Sequence, residues 1–315
     1  MTLYPWLEPA AEKLRAARTA GRLPPALLVH EAPGAGGMEL AIYAAQLFFC
    51  TSKPGPCGDC SNCRRVEQRE HPDFIVVGPD PESKLGQISV DQVRAISAHL
   101  SMSSYEGNGT FIVFQPADAL NRNAANALLK TLEEPRADAH VLLVTAAPSL
   151  LPATIRSRCQ RLSASAPDRD TALAWLSAQK PAHRADWPAV LEVLGVAPVQ
   201  ALAADVPQIL AIRRDVQQVL RDAGQGRIDV VRTAESWAKD ELPLRLRGIE
   251  NCLTGQILAM RAGARLQDGP LDINIGAALR LLDEVRELQR QLATSLNKPL
   301  ALERHLWQLN RAGGA

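Results

Sequence analysis

The sequence predicts an α/β core with a parallel sheet, followed by a C-terminal half built from helices. Residues 26–29, 111–114 and 141–145 are apolar runs of strand length. A glycine-rich loop and a strongly apolar helical stretch follow the first run, and a helical pattern at 123–134 separates the other two. Alternating strands and helices call for a parallel sheet. From Asp205 onward, apolar residues recur almost throughout at helical spacing.

The 315 residues leave room for two or three domains, and the 46% hydrophobic content can fill their cores. With 35 basic and 34 acidic residues the formal charge is +1, which argues against an autonomous, charge-driven DNA binder. Aromatics make up 4%, which also disfavours single-strand binding by base stacking. The first residues lack a basic segment followed by an apolar one, and no apolar run reaches membrane-spanning length. A soluble, cytoplasmic protein with no membrane partner is expected.

Residues 3–21 place Leu7, Ala11, Leu14 and Ala17 near helical spacing and end at Gly21, a helix stop. Pro24-Pro25 breaks the chain before the first strand. Strand, glycine-rich loop and helix then set the scene for a phosphate loop. The pattern GxxxxGK[ST] needs an opening glycine, a lysine for the terminal phosphates and a hydroxyl for magnesium. Here Glu31 takes the place of the opening glycine, Gly34 lies within the loop, and Gly36-Gly37-Met38 replaces Gly-Lys-[Ser/Thr]. Glycine supplies no cation, methionine is a poor ligand for a hard metal ion, and a carboxylate at Glu31 would repel phosphate. The stretch reads either as a nucleotide fold that has lost its nucleotide or as an ordinary glycine-rich turn.

Four of the six cysteines cluster: Cys50, Cys57, Cys60 and Cys63, the last three as C-x2-C-x2-C. Lys53-Pro54-Gly55-Pro56 and Gly58-Asp59 supply turns that let the sulfurs converge. Four thiolates suit a closed tetrahedral zinc site with no open position, hence a structural one. An iron–sulfur cluster is the other metal reading. Cys159 and Cys252 read as ordinary buried thiols, and His71-Pro72 as a loop.

Residues 73–77 form a strand, and Ser89 caps the next helix with Gln92 at the capping-box position. In a working ATPase the strand at 111–114 would end in two acids. It continues Gln115-Pro116, and Asp118, two places late, reads as a helix-entry cap. After the strand at 141–145, residues 151–156 lead to Ser157-Arg158-Cys159, which presents an arginine outward.

Asn126-Ala-Leu-Leu-Lys-Thr-Leu-Glu-Glu-Pro135 followed by Ser157-Arg158-Cys159 resembles the clamp-loader family of AAA+ proteins. Residues 21–29 and the four-cysteine insert are similar too. Loss of both Walker elements beside an intact Ser-Arg-Cys triplet resembles the family's non-hydrolysing members. The resemblance implies an AAA+, P-loop NTPase-like core at 1–164 with a zinc module at about 50–63, a helical lid at 165–204 and an all-α collar at 205–315. It implies that Arg158 is an arginine finger acting in trans on a neighbour's ATP, and that ATP does not bind this chain. It gives Thr145 the sensor-1 position, though with no nucleotide to sense Thr145 reads as a satisfied strand-end hydroxyl. Pro198 stands where active members carry the lid's arginine, and no basic residue lies between Ala185 and Ile212. The implied function is support of sliding-clamp loading onto primed DNA within the DNA polymerase III clamp loader, a hetero-pentamer. An active AAA+ ATPase and a zinc-containing DNA-binding module are the competing readings.

In the C-terminal half, Asp168 is placed to cap a helix over 171–179, and another starts at 189–194. Ile209, Ile212, Val216 and Leu220 mark one apolar face. Leu242 to Met260 and Ile275 to Leu292 give two more stripes, and a last helix starts near Asn297.

Overall fold

The apolar runs of the N-terminal half pair into one five-stranded parallel sheet. The computed structural model describes residues 3–313 except 53–54, 81–82, 84–85, 102–103, 137, 263–270, 272 and 293–296. Lys53 and Pro54 of the expected turn lie outside the described residues. The chain divides into two units, Met1–Pro167 and Asp168–Ala315.

The first unit runs α1 (Glu8–Thr19), β1 (Ala26–Glu31), α2 (Gly37–Phe49), α3 (Ser61–Gln68), β2 (Phe74–Val77) and α4 (Val90–Ser101). It continues with β3 (Thr110–Phe114), α5 (Arg122–Glu133), β4 (Ala139–Thr145), α6 (Ala153–Arg156) and β5 (Gln160–Ala164). The sheet order is β2-β3-β4-β1-β5, with every neighbouring pair parallel. β3 is buried along its whole length and β1 and β4 along most of theirs, as strands covered on both faces must be. Their side chains alternate between two cores. Leu27, Val29, Val113 and Leu142 pack with Leu14 of α1 and Leu47 of α2. Leu28, Ile112, Phe114 and Leu143 pack with Val93 of α4, Leu128 of α5 and Ile155 of α6.

The second unit is all helix: α7 (Arg169–Gln179), α8 (Trp187–Leu194), α9 (Pro198–Ala203), α10 (Val206–Gly224), α11 (Val230–Lys239), α12 (Leu242–Arg261), α13 (Ile275–Gln291) and α14 (Lys298–Gly313). Leu176, Trp187, Leu220, Trp237, Leu253, Val285 and Leu306 belong to one core. Asp168 caps α7, and Asp205, Asp229 and Asn274 do the same for α10, α11 and α13. Among the described residues, no helix is long and apolar enough to cross a membrane.

Five elements are absent from the sequence reading, among them the short helices α6 and α9. β5 exposes three of its five residues, so Leu162 and Ala164 alone carry the inward pattern. α3 is polar apart from Cys63 and Val66. α11 was legible, since Val230, Ala234 and Trp237 follow i, i+4, i+7 behind the cap Asp229. α8 starts at Trp187 rather than 189, because Pro188 is accommodated in its first turn.

Candidate functional site

The turn after β1 carries the chain back onto itself. Gly34 and Gly36 adopt left-handed φ angles of 70° and 94°, which favour glycine. This sets the N-terminus of α2, with its unpaired N–H groups, beside the last residue of β1. The Glu31 carboxylate lies against Gly37, and the N–H groups of Gly37 and Gly36 favour its charged form. Burial pushes Glu31 above the usual carboxylate range, and the two amides offset only part of that rise. A side chain at Gly37 would collide with this carboxylate. From the other side, the Tyr4 ring lies over Gly36, where an added Cβ would come within 2.7 Å of it. Tyr4 stacks on Trp6 at 5.1 Å, and the Trp6 indole donates to the Ala35 carbonyl at 2.7 Å. Amides that would face a phosphate thus already face an internal carboxylate. Met38 packs against the core and offers neither cation nor hydroxyl.

The ends of β3 and β4 are also satisfied from within the unit. Gln115 donates its backbone N–H to Val77 O at 2.9 Å, and Pro116 follows. Thr145 is buried at the end of β4, donates to the Asp118 carboxylate and accepts from Ala147 N at 2.9 Å. It is the satisfied hydroxyl the sequence suggested. Asp118 is not a helix cap: it lies in a short 3-10 turn, and Asn121 caps α5 by accepting from Ala124 N at 2.8 Å.

Arg158 sits at the other end of the sheet. β1 and β5 run parallel, with Leu27 opposite Gln160 and Glu31 opposite Ala164. Arg158 precedes β5, whereas the loop follows β1, so about 13 Å of strand separates the two ends. Buried Ile155 and Cys159 anchor the turn that carries the arginine. Burial pushes the Cys159 thiol up to about 11, so it stays protonated. The Arg158 guanidinium is exposed, with Nη2 2.6 Å from Oε1 of Glu133 and Nη1 donating to Thr154 O at 2.9 Å.

The cysteines converge as their spacing predicts. The Sγ atoms of Cys50, Cys57, Cys60 and Cys63 all lie within 4.8 Å of one another, so this cluster could hold a metal ion. Zinc–sulfur bonds of about 2.3 Å put tetrahedral sulfurs ~3.8 Å apart, compatible with that spacing. Cys50 ends α2 and Cys60 caps α3, accepting from Cys63 N at 3.4 Å. Burial works against the Cys60 thiolate, yet the N–H groups of Cys63 and Thr51 help pull its pKa down to about 6. Gln46 donates to Cys63 O and Asn62 to Phe49 O, both at 2.9 Å, and tie α3 to α2.

Sequence reasoning missed the support beneath this cluster. Arg65 binds Glu106 at 2.5 and 3.0 Å and reaches Asn62 Oδ1 at 2.7 Å. The buried Asp73 carboxylate accepts from Tyr105 N and Glu106 N at 2.7 and 3.0 Å, which fixes the loop that carries Glu106. His71, read as a loop marker, is buried and stacks on Phe49 at 4.0 Å. Burial holds its pKa below the usual histidine value. A histidine next to a proline gives no sign of this packing.

A family model described as DNA polymerase III, delta subunit, matches residues 6–168, more than half of the chain. The DNA polymerase III subunit delta' of Pseudomonas aeruginosa is 31% identical over 245 residues, covering 77% of this chain and 73% of that one. This chain belongs to the DNA polymerase III delta-prime family. The Yersinia pestis member is 32% identical over 260 residues, covering 80% of this chain and 76% of its own. A solved structure, a DNA polymerase III gamma subunit-related protein of Thermotoga maritima, has a TM-score of 0.48 at 17% identity, covering 96% of this chain and 99% of that one. In the second unit of this family member, Pro198 is buried in the first turn of α9.

Proposed function

We propose that this chain is a non-hydrolysing subunit of the DNA polymerase III clamp loader and that Arg158 completes the ATP site of a neighbouring subunit. What supports this reading most is the contrast between the two ends of the sheet. Glu31 fills the phosphate cradle at one end, while Arg158 is exposed at the other. Arginine stays charged and offers a planar fork of donors, which suits it to stabilise charge building on a transferred phosphoryl group.

Around this core, residues 165–204 serve as lid and 205–315 as the collar that joins the other subunits in a hetero-pentamer. That assembly opens the sliding clamp and places it on primed DNA in the cytoplasm. The four cysteines hold one zinc ion. A four-thiolate site leaves no open coordination position, so the metal braces the segment between α2 and α3 and takes no part in hydrolysis.

Two measurements on purified protein test the reading. The isolated chain should show no magnesium-dependent ATP binding in the micromolar range, and such binding would overturn the non-hydrolysing assignment. ATP turnover by the reconstituted assembly should fall on Arg158→Ala, and unchanged turnover would remove the finger role.

A further inference from the structure

We infer that Glu133 is the positioning residue for Arg158: its carboxylate holds the guanidinium in place before the neighbour's ATP arrives. This rests on the reading of Arg158 as a trans-acting finger.

A free arginine side chain samples many rotamers. Arg158 is exposed and would have that freedom, but two contacts bias it toward one orientation. Nη2 meets Oε1 of Glu133 at 2.6 Å and Nη1 donates to Thr154 O at 2.9 Å. A guanidinium is flat and rigid, so fixing both Nη groups fixes the direction of its remaining N–H bonds. Among the described residues those N–H groups have no partner, which leaves them for an incoming anion.

The placement of Glu133 strengthens the case. It is the last residue of α5, where the helix dipole is negative and an acid is unfavourable. A carboxylate there gains from a cation beside it. The partner side chains keep 35% and 48% of their exposure, so the pair adds little to the stability of the fold. Its consequence is orientation more than stability. Thr154 belongs to α6, which leads into the arginine turn, so the two anchors tie the fork to α5 and α6 together.

The test is steady-state ATP turnover by the reconstituted clamp-loader assembly as a function of ATP concentration. Glu133→Ala should lower kcat roughly three- to tenfold with KM little changed, because orientation acts on the reacting complex. Glu133→Gln, which keeps an acceptor oxygen, should recover part of the loss. In an Arg158→Ala background, Glu133→Ala should add nothing. Thermal unfolding and assembly stoichiometry of each variant show that the chain is folded and incorporated. Full kcat for Glu133→Ala beside a slow Arg158→Ala overturns the positioning role and leaves the finger intact. An equal further loss in the Arg158→Ala background also overturns it, because Glu133 would then act independently. Full turnover for Arg158→Ala removes the finger itself, and this inference with it.

Discussion

Each end of the sheet carries a glutamate against a group that could meet phosphate, and the two are built in opposite ways. Glu31 is half-buried and lies against the first amides of α2, which favour its charged form. Glu133 stays in water and pairs with Arg158 in the open. The Glu31 carboxylate lies in a turn whose Ala35 and Gly36 are packed by Trp6 and Tyr4, so the fold itself holds it there. An exposed ion pair is worth about 0–1 kcal/mol and yields to a more highly charged anion. The same functional group thus lies against backbone amides at one end and pairs with an exposed arginine at the other. Burial sets the two apart.

The largest expected effect comes from breaking the Arg158 end. If Arg158 is a trans-acting finger as proposed, Arg158→Ala should slow hydrolysis at the neighbouring site by about 10³-fold or more, read in single-turnover assays of the reconstituted assembly. A loss below about tenfold would show that Arg158 does not act as a finger.

The next effect tests whether the ends are mechanically separate. α2 starts at the phosphate loop and finishes at Cys50, so the cysteine cluster lies at the opposite end of that helix from the loop. Metal removal by chelation, or Cys60→Ser, should weaken the segment 50–68 on the order of several kcal/mol. Hydrogen exchange should speed up across α3 and in the Glu106 loop while amides of the phosphate loop keep their protection. Equal loss of protection at the loop would merge the two regions into one cooperative unit.

The smallest effect concerns the Glu31 end. Glu31→Ala should free the amides of Gly36 and Gly37 and allow weak binding of inorganic phosphate, seen as shifts of those two amide resonances that the unaltered chain lacks. The same carboxylate has a pH signature. Its folded pKa is raised, so its contribution to stability is fully present below the unfolded value and is lost as pH rises through the folded value. Glu31→Gln should flatten that part of the stability profile in thermal unfolding, and an unchanged profile would place Glu31 in water.

Much of this arrangement was legible from residue types alone. Gly37 and Met38 cannot do the work of lysine and a hydroxyl, and Gln115-Pro116 cannot do the work of two acids. Four cysteines at short spacing converge because the turns between them allow it. What spacing could not show was direction. Glu31 was expected to repel phosphate. It lies on the phosphate's amides, because left-handed Gly34 and Gly36 fold the turn back over α2. Glu133 lay inside a recognised motif, yet its partner is 25 positions away and is set only when α5 and α6 pack together. Asp118 was close enough to α5 to look like its cap, but Thr145 from another strand claimed it. β5 was hidden because an edge strand has to show an apolar pattern on one face only.

Trp6, which donates to the Ala35 carbonyl across the phosphate loop, is one of five tryptophans in the chain. The others, Trp175, Trp187, Trp237 and Trp307, all lie in the second unit. Fluorotryptophan labelling therefore yields a single resonance from the first unit, and that resonance belongs to the clasp over the phosphate loop. The molecule carries its own spectroscopic reporter of whether that clasp opens.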